Sequence, residues 1–115
     1  MAVMVKEIRP DAEWAVNSPH RSRGITVQNV FQRDVENRSV EFNITAFNGD
    51  EFWSPAHRHN FDQIRIGLDG VMKYGTRSRL MPRTVAYYPE GTWYGPMACD
   101  GPSISAIMQF DGASH

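Results

Sequence analysis

One cysteine, Cys99, stands in 115 residues, so no intrachain disulfide can form and a reducing cytosol fits. Long apolar runs are missing, which argues against a membrane-spanning helix. Charge of either sign is also unremarkable. Twelve Lys and Arg residues face thirteen Asp and Glu residues, for a net charge of −1, and no basic block stands out. That balance argues against nucleic acid as a partner. Lysine is scarce, two against ten arginines, which favours planar guanidinium pairs over mobile point charges. The opening stretch MAVMVKEIRP reaches charge too early for a secretory signal, and the expectation is a cytoplasmic protein. No sustained 3.6-residue apolar period is present, so little helix is expected.

What the chain does have is punctuation. Glycine and proline recur every ten or so residues with short runs between them, the spacing of a β-sandwich or barrel. The length fits one domain. Residues 1–24 read as an N-terminal arm and residues 25–115 as the barrel domain. Strands are expected near 25–32, 39–47, 62–68, 71–75, 84–88 and 104–110. Val40, Phe42, Ile44 and Ala46 alternate with Glu41, Asn43 and Thr45. Ile104, Ala106, Met108 and Phe110 oppose Ser105 and Gln109, with Ile107 on the polar side. Asn48-Gly49-Asp50, Asp69-Gly70 and Asp100-Gly101-Pro102 are turn signals between strands.

The chemistry gathers around His57-Arg58-His59. Side chains two apart on a strand share a face, so the two imidazoles are presented together. Imidazole is the commonest neutral metal ligand. If Gln63 faces the same interior, Arg65 and Gly67 follow it inward, and Ile64, Ile66 and Leu68 face out. The outward isoleucines then need a cover, from the arm or from a second subunit, and a homodimer is the expected assembly. The opposite parity would fill the barrel with the isoleucines instead. An inward Arg65 is costly unless it meets an acid or an anion. It either pairs with Glu41, Asp62 or Glu90, or clamps a substrate carboxylate through its planar fork.

The stretch from Glu51 to Gly70 resembles the first motif of the cupin superfamily, with His57, His59 and the closing Gly70 in place. Glu51 replaces its first glycine, and Gln63 stands where the acid usually is. Pro89-Glu90-Gly91-Thr92-Trp93-Tyr94 resembles the second motif, with Tyr94 in the histidine place. The resemblance covers about residues 40–110. It implies an all-β, double-stranded β-helix, or RmlC-like jelly roll, with a site in its mouth that commonly holds one divalent transition metal such as Mn, Fe, Ni or Zn.

Carried onto this chain, the resemblance gives His57, His59 and Gln63 as metal ligands and Tyr94 and Arg65 as catalytic groups. Two imidazoles, an amide and a phenol include no anion at neutral pH, since tyrosine titrates near ~10. An ion held this way is less neutralised and more Lewis acidic, and an anionic substrate oxygen would complete its shell. The leading expectation is therefore a metal-dependent enzyme acting on a small organic molecule. Lyase, isomerase or decarboxylase chemistry is preferred to dioxygenation. Two alternatives stand beside it: metal-free acid–base catalysis between His57 or His59 and Tyr94, as in cupin-fold epimerases, and small-molecule binding without turnover. Trp53, Phe61, Tyr87, Tyr88 and Trp93 are read as apolar wall or core, and Met72, Met81, Met97 and Met108 as packing. Cys99 has no activating neighbour in sequence and is read as an inert thiol.

Overall fold

The computed structural model describes residues 3–8, 15–16, 24–35, 38–49, 52–56, 58–59, 61–75 and 78–110. Its regular elements are strands: β1 (Ala15–Val16), β2 (Ile25–Val35), β3 (Arg38–Phe47), β4 (Trp53–Ser54), β5 (Asp62–Asp69), β6 (Met72–Tyr74), β7 (Ser78–Leu80), β8 (Val85–Tyr88), β9 (Met97–Cys99) and β10 (Ser103–Phe110). They make a six-stranded sheet in the order β1-β2-β3-β10-β5-β8 and a four-stranded sheet in the order β4-β9-β6-β7. Each pairing is antiparallel. Among the described residues no helix is long and apolar enough to cross a membrane.

Register decides what the interior contains. Glu41, Gln109, Gln63 and Tyr88 stand side by side across β3, β10, β5 and β8. Asn43, Ile107, Arg65 and Ala86 form the next row, and Thr45, Ser105 and Gly67 the one after. Directly paired residues share a face, and Asn43, Thr45, Gln63, Arg65, Gly67, Ser105 and Ile107 are all buried. The inner face of the large sheet is thus polar. An apolar cluster of Phe47, Phe52, Met72, Leu80, Met97, Cys99 and Ile107 joins the two sheets beside it. Ile107, the residue that broke the alternation of its strand, belongs to that cluster.

The outer face carries the second apolar cluster, Val30, Ile44 and Ala106, with Phe31, Phe42, Ile66 and Ile104 against it. Gln63, Arg65 and Gly67 therefore face in, and Ile66 faces out. Period-2 geometry carries this for the whole strand, because a one-residue slip would exchange the two faces.

The six expected strands are present. β4, β7 and β9 were not expected, and β1 falls where the sequence allows either one helical turn or a short strand; each is only two or three residues long, too short for alternation to register. Met72 and Met97 pack in the core, but Met81 is exposed, as are Trp53, Tyr87 and Trp93. Near the N-terminus, Ala15–Val16 pairs with β2 and the Lys6 ammonium lies over the Phe31 ring.

Gly67 lets the β7–β8 connection cross the middle of β5. Its N–H donates to the Thr84 carbonyl at 2.9 Å, and its carbonyl accepts the Arg83 N–H at 2.8 Å. A Cβ there would lie 2.1 Å from the Met81 carbonyl oxygen. Gly67→Ala is expected to cost about 2 kcal/mol or more through this backbone clash. Urea unfolding measures it, and an unchanged midpoint would contradict the close approach.

Candidate functional site

Two loops bring the histidine and tyrosine motifs together. The Gly91 N–H donates to the His59 carbonyl at 2.9 Å. Gly95, at φ +106°, lies so close to the other loop that a Cβ would come within 3.1 Å of the Ala56 Cα. Glycine tolerates that backbone conformation without steric cost. The His59 ring stacks on buried Phe61, with centroids 4.4 Å apart, and lies 5.7 Å from the Tyr94 ring. His57, the other expected ligand, lies outside the described residues.

Beneath these loops lies Arg65, only 6% exposed. Its Nε donates to Gln63 Oε1 at 2.7 Å. Its Nη1 reaches the Tyr74 hydroxyl at 3.4 Å and its Nη2 the Tyr94 hydroxyl at 3.5 Å. The guanidinium also lies over the rings of Tyr88 and Tyr94, at 5.3 and 5.6 Å. The three phenols pack edge to face, closest between Tyr88 and Tyr94 at 4.7 Å. Burial works against the charge on Arg65, but the phenol oxygens of Tyr74, Tyr94 and Tyr88 outweigh it and raise its pKa. Arg65 is a permanent cation.

Among the described residues, no carboxylate meets this cation. Asp62 Oδ1 is taken by the Tyr87 hydroxyl and the Glu90 N–H. Glu41 is reached only through two amides: Gln63 Nε2 faces Gln109 Oε1 at 3.4 Å, and Gln109 Nε2 faces Glu41 Oε2 at 3.3 Å. Desolvating an ion costs several kcal/mol, on the order of what a direct ion pair would return. Among the described residues, amide, phenol and π contacts carry the burden here.

No protein-family model matches this chain, and no curated protein is similar to it at a significant level. Solved structures are similar in fold. KdgF from Halomonas sp. aligns at TM-score 0.72 and 20% identity, over 97% of each chain. The polyketide cyclase RemF from Streptomyces resistomycificus aligns at TM-score 0.78 and 14% identity, over 98% of this chain and 83% of its own. An RmlC-like cupin from Shewanella frigidimarina aligns at TM-score 0.68 and 13% identity, over 94% and 91%. The chain has the cupin fold.

Within this cupin barrel, the described donors, without His57, do not by themselves complete a site for a divalent ion. They include no group of three His, Cys, Asp or Glu side chains that could hold one. The Gln63 oxygen, the expected third ligand, is engaged by a guanidinium at 2.7 Å. A cation placed there would sit against fixed positive charge. Arg65, Gln63, Tyr94 and His59 lie together. Tyr74 and Gln109 complete the site and were not singled out. Gln109 had shown one signal, its place on the polar face of an alternating strand. Tyr74 sits in a three-residue strand with no pattern to mark it.

The cluster also fixes the ionisation of its phenols. Burial, the largest cause, pushes Tyr94 and Tyr88 above the usual phenol range, although the Arg65 charge pulls both down. The hydrogen bond to Asp62 raises exposed Tyr87. These folded-state values lie above the unfolded ones. Their contribution to stability is therefore present below pH ~10 and is lost as pH rises beyond it. A spectrophotometric titration with Tyr88→Phe and Tyr94→Phe should assign both phenols above the ordinary range. Ionisation of either near pH ~10 in the folded protein would contradict the burial argument.

Proposed function

We propose that this cupin-fold protein is an enzyme that takes a small organic carboxylate into the barrel mouth, holds it on Arg65, and moves a proton between it and the His59–Tyr94 pair. The observation that carries this reading is a guanidinium 6% exposed with no carboxylate partner among the described residues. A buried charge in that state is answered by an anion from outside. Among the described residues, Nη1 and Nη2 make long contacts, 3.4 and 3.5 Å, with the tyrosine hydroxyls. Such contacts yield readily to the shorter charge-assisted bonds of a carboxylate.

Tyr94, like any phenol, is protonated at neutral pH, and burial raises its pKa further, which suits its hydroxyl to hydrogen-bond a developing negative charge. The His59 ring packs beside that of Tyr94, with centroids 5.7 Å apart, which puts the imidazole next to the phenol at the edge of the cluster. An imidazole base removing a proton beside the carboxylate, with the developing negative charge held by Arg65 and the Tyr94 hydroxyl, gives isomerase or lyase chemistry. The name of the structurally similar polyketide cyclase supports catalysis over simple storage. A metal-dependent form of this chemistry would need His57 and His59 to hold an ion beside the guanidinium. Elemental analysis of untagged protein distinguishes it by a stoichiometric transition metal. A homodimer through the outer sheet face belongs to the same reading. The exposure of Val3, Val5 and Val40 supports it.

Isothermal titration with acetate, pyruvate and benzoate tests the binding. Wild-type protein is expected to take up at least one of them, and Arg65→Met to lose tenfold or more in affinity. Tyr94→Phe should keep affinity within a few-fold but lose exchange of the bound acid's carbon-bound hydrogen with deuterated solvent, followed by proton NMR. Undiminished binding by Arg65→Met would overturn the assignment.

A further inference from the structure

Gln63 touches the buried cation and brings no charge to it. Its Oε1 takes the inner edge of the guanidinium, Nε, at 2.7 Å, and the two terminal nitrogens are turned towards the tyrosine hydroxyls. A carboxylate in the same place would accept the same proton as a charge-assisted bond and neutralise Arg65 from within. The site's power to attract an anion thus depends on the neutrality of residue 63.

The orientation of that amide is also determined. Gln63, Gln109 and Glu41 are register partners on three adjacent strands. The Glu41 carboxylate can only accept, so Gln109 turns its Nε2 towards it, at 3.3 Å. Gln109 Oε1 is then left facing Gln63 Nε2, at 3.4 Å, and Gln63 Oε1 faces Arg65. Reversing one amide would set donor against donor at Arg65 or acceptor against carboxylate at Glu41. The row runs in one direction from a buried cation to a carboxylate two amides away.

We propose that Gln63 is the specificity-determining residue of this site. As a neutral acceptor aimed by Gln109 and Glu41, it fixes Arg65 while leaving its charge for an incoming carboxylate. This rests on the anion reading given above, which it deepens.

The test is titration of the folded protein with acetate and with benzoate, by calorimetry and by the Arg65 Nε–H signal in nitrogen–proton NMR. Wild type is expected to bind, with that signal moving on binding. Gln63→Glu should weaken binding by about a hundredfold, because the site then carries its own counter-ion. Its Nε–H signal should be displaced before any probe is added, and should stay put afterwards. Gln63→Leu keeps the positive charge and loses only the aim, so a loss of about tenfold or less is expected. Gln109→Leu, one side chain further from the guanidinium, should lose a few-fold and serves if substitution at 63 prevents folding. Binding by Gln63→Glu equal to wild type overturns the proposal. So does a loss in Gln63→Leu as large as in Gln63→Glu, since position 63 would then be merely structural. Undiminished affinity in Gln109→Leu overturns the aiming row. Wild-type protein that binds neither probe overturns the anion reading and this inference with it.

Discussion

A guanidinium inside a β-barrel has to be answered, and the arrangement around Arg65 follows from how this chain answers it. The amide of Gln63 takes one edge, two phenol oxygens lie at the other, and the neighbouring rings of Tyr88 and Tyr94 lie against it, 4.7 Å from each other. None of these partners is an anion. Together they lower the cost of burial without cancelling the charge, which is what the proposed carboxylate site requires. An apolar side chain of similar volume would serve the fold as well or better. Retaining the charge at such a position is a cost to stability set against a function.

The barrel makes this possible by dividing its interior along the strands. Beside the polar rows, Phe47, Met72, Leu80, Met97 and Ile107 supply the packing that holds the two sheets together. The mouth is then free to hold Gln63, Arg65 and the tyrosines without losing the core. A second apolar cluster on the outer face packs the same large sheet from behind. Strand β5 therefore has an apolar side that anchors it and a polar side that works. The loops bearing His59 and Tyr94 are pinned by the Gly91 hydrogen bond and the close approach of Gly95, so the two motifs meet although 34 positions separate them in sequence.

Much of this was legible in the sequence, and the parts that were not have physical reasons. The two-residue period of Gln63, Arg65 and Gly67 against Ile64, Ile66 and Leu68 carried the parity of β5, and with it the inward arginine. The spacing of His59, Gly70, Pro89, Gly91 and Tyr94 carried the fold and the meeting of the two loops. Which partner Arg65 takes could not be read, because Glu41, Asp62 and Glu90 were all within plausible reach of it. Only register separates them: Asp62 goes to Tyr87 and Glu90, and Glu41 stands behind two amides. Tyr74 escaped because a three-residue strand has no period to display. Gln63 was read as a ligand from its place after the histidines, and its engagement by Arg65 depends on a side-chain contact that spacing does not encode.

The most direct test is anomalous diffraction from bromide-soaked crystals, with data at the bromine edge and at the transition-metal edges. The account predicts a bromide at Arg65 Nη1 and Nη2, flanked by the hydroxyls of Tyr74 and Tyr94, and no transition-metal peak in the barrel. A barrel mouth without bromide, and with a metal peak at the His59 imidazole, would contradict it.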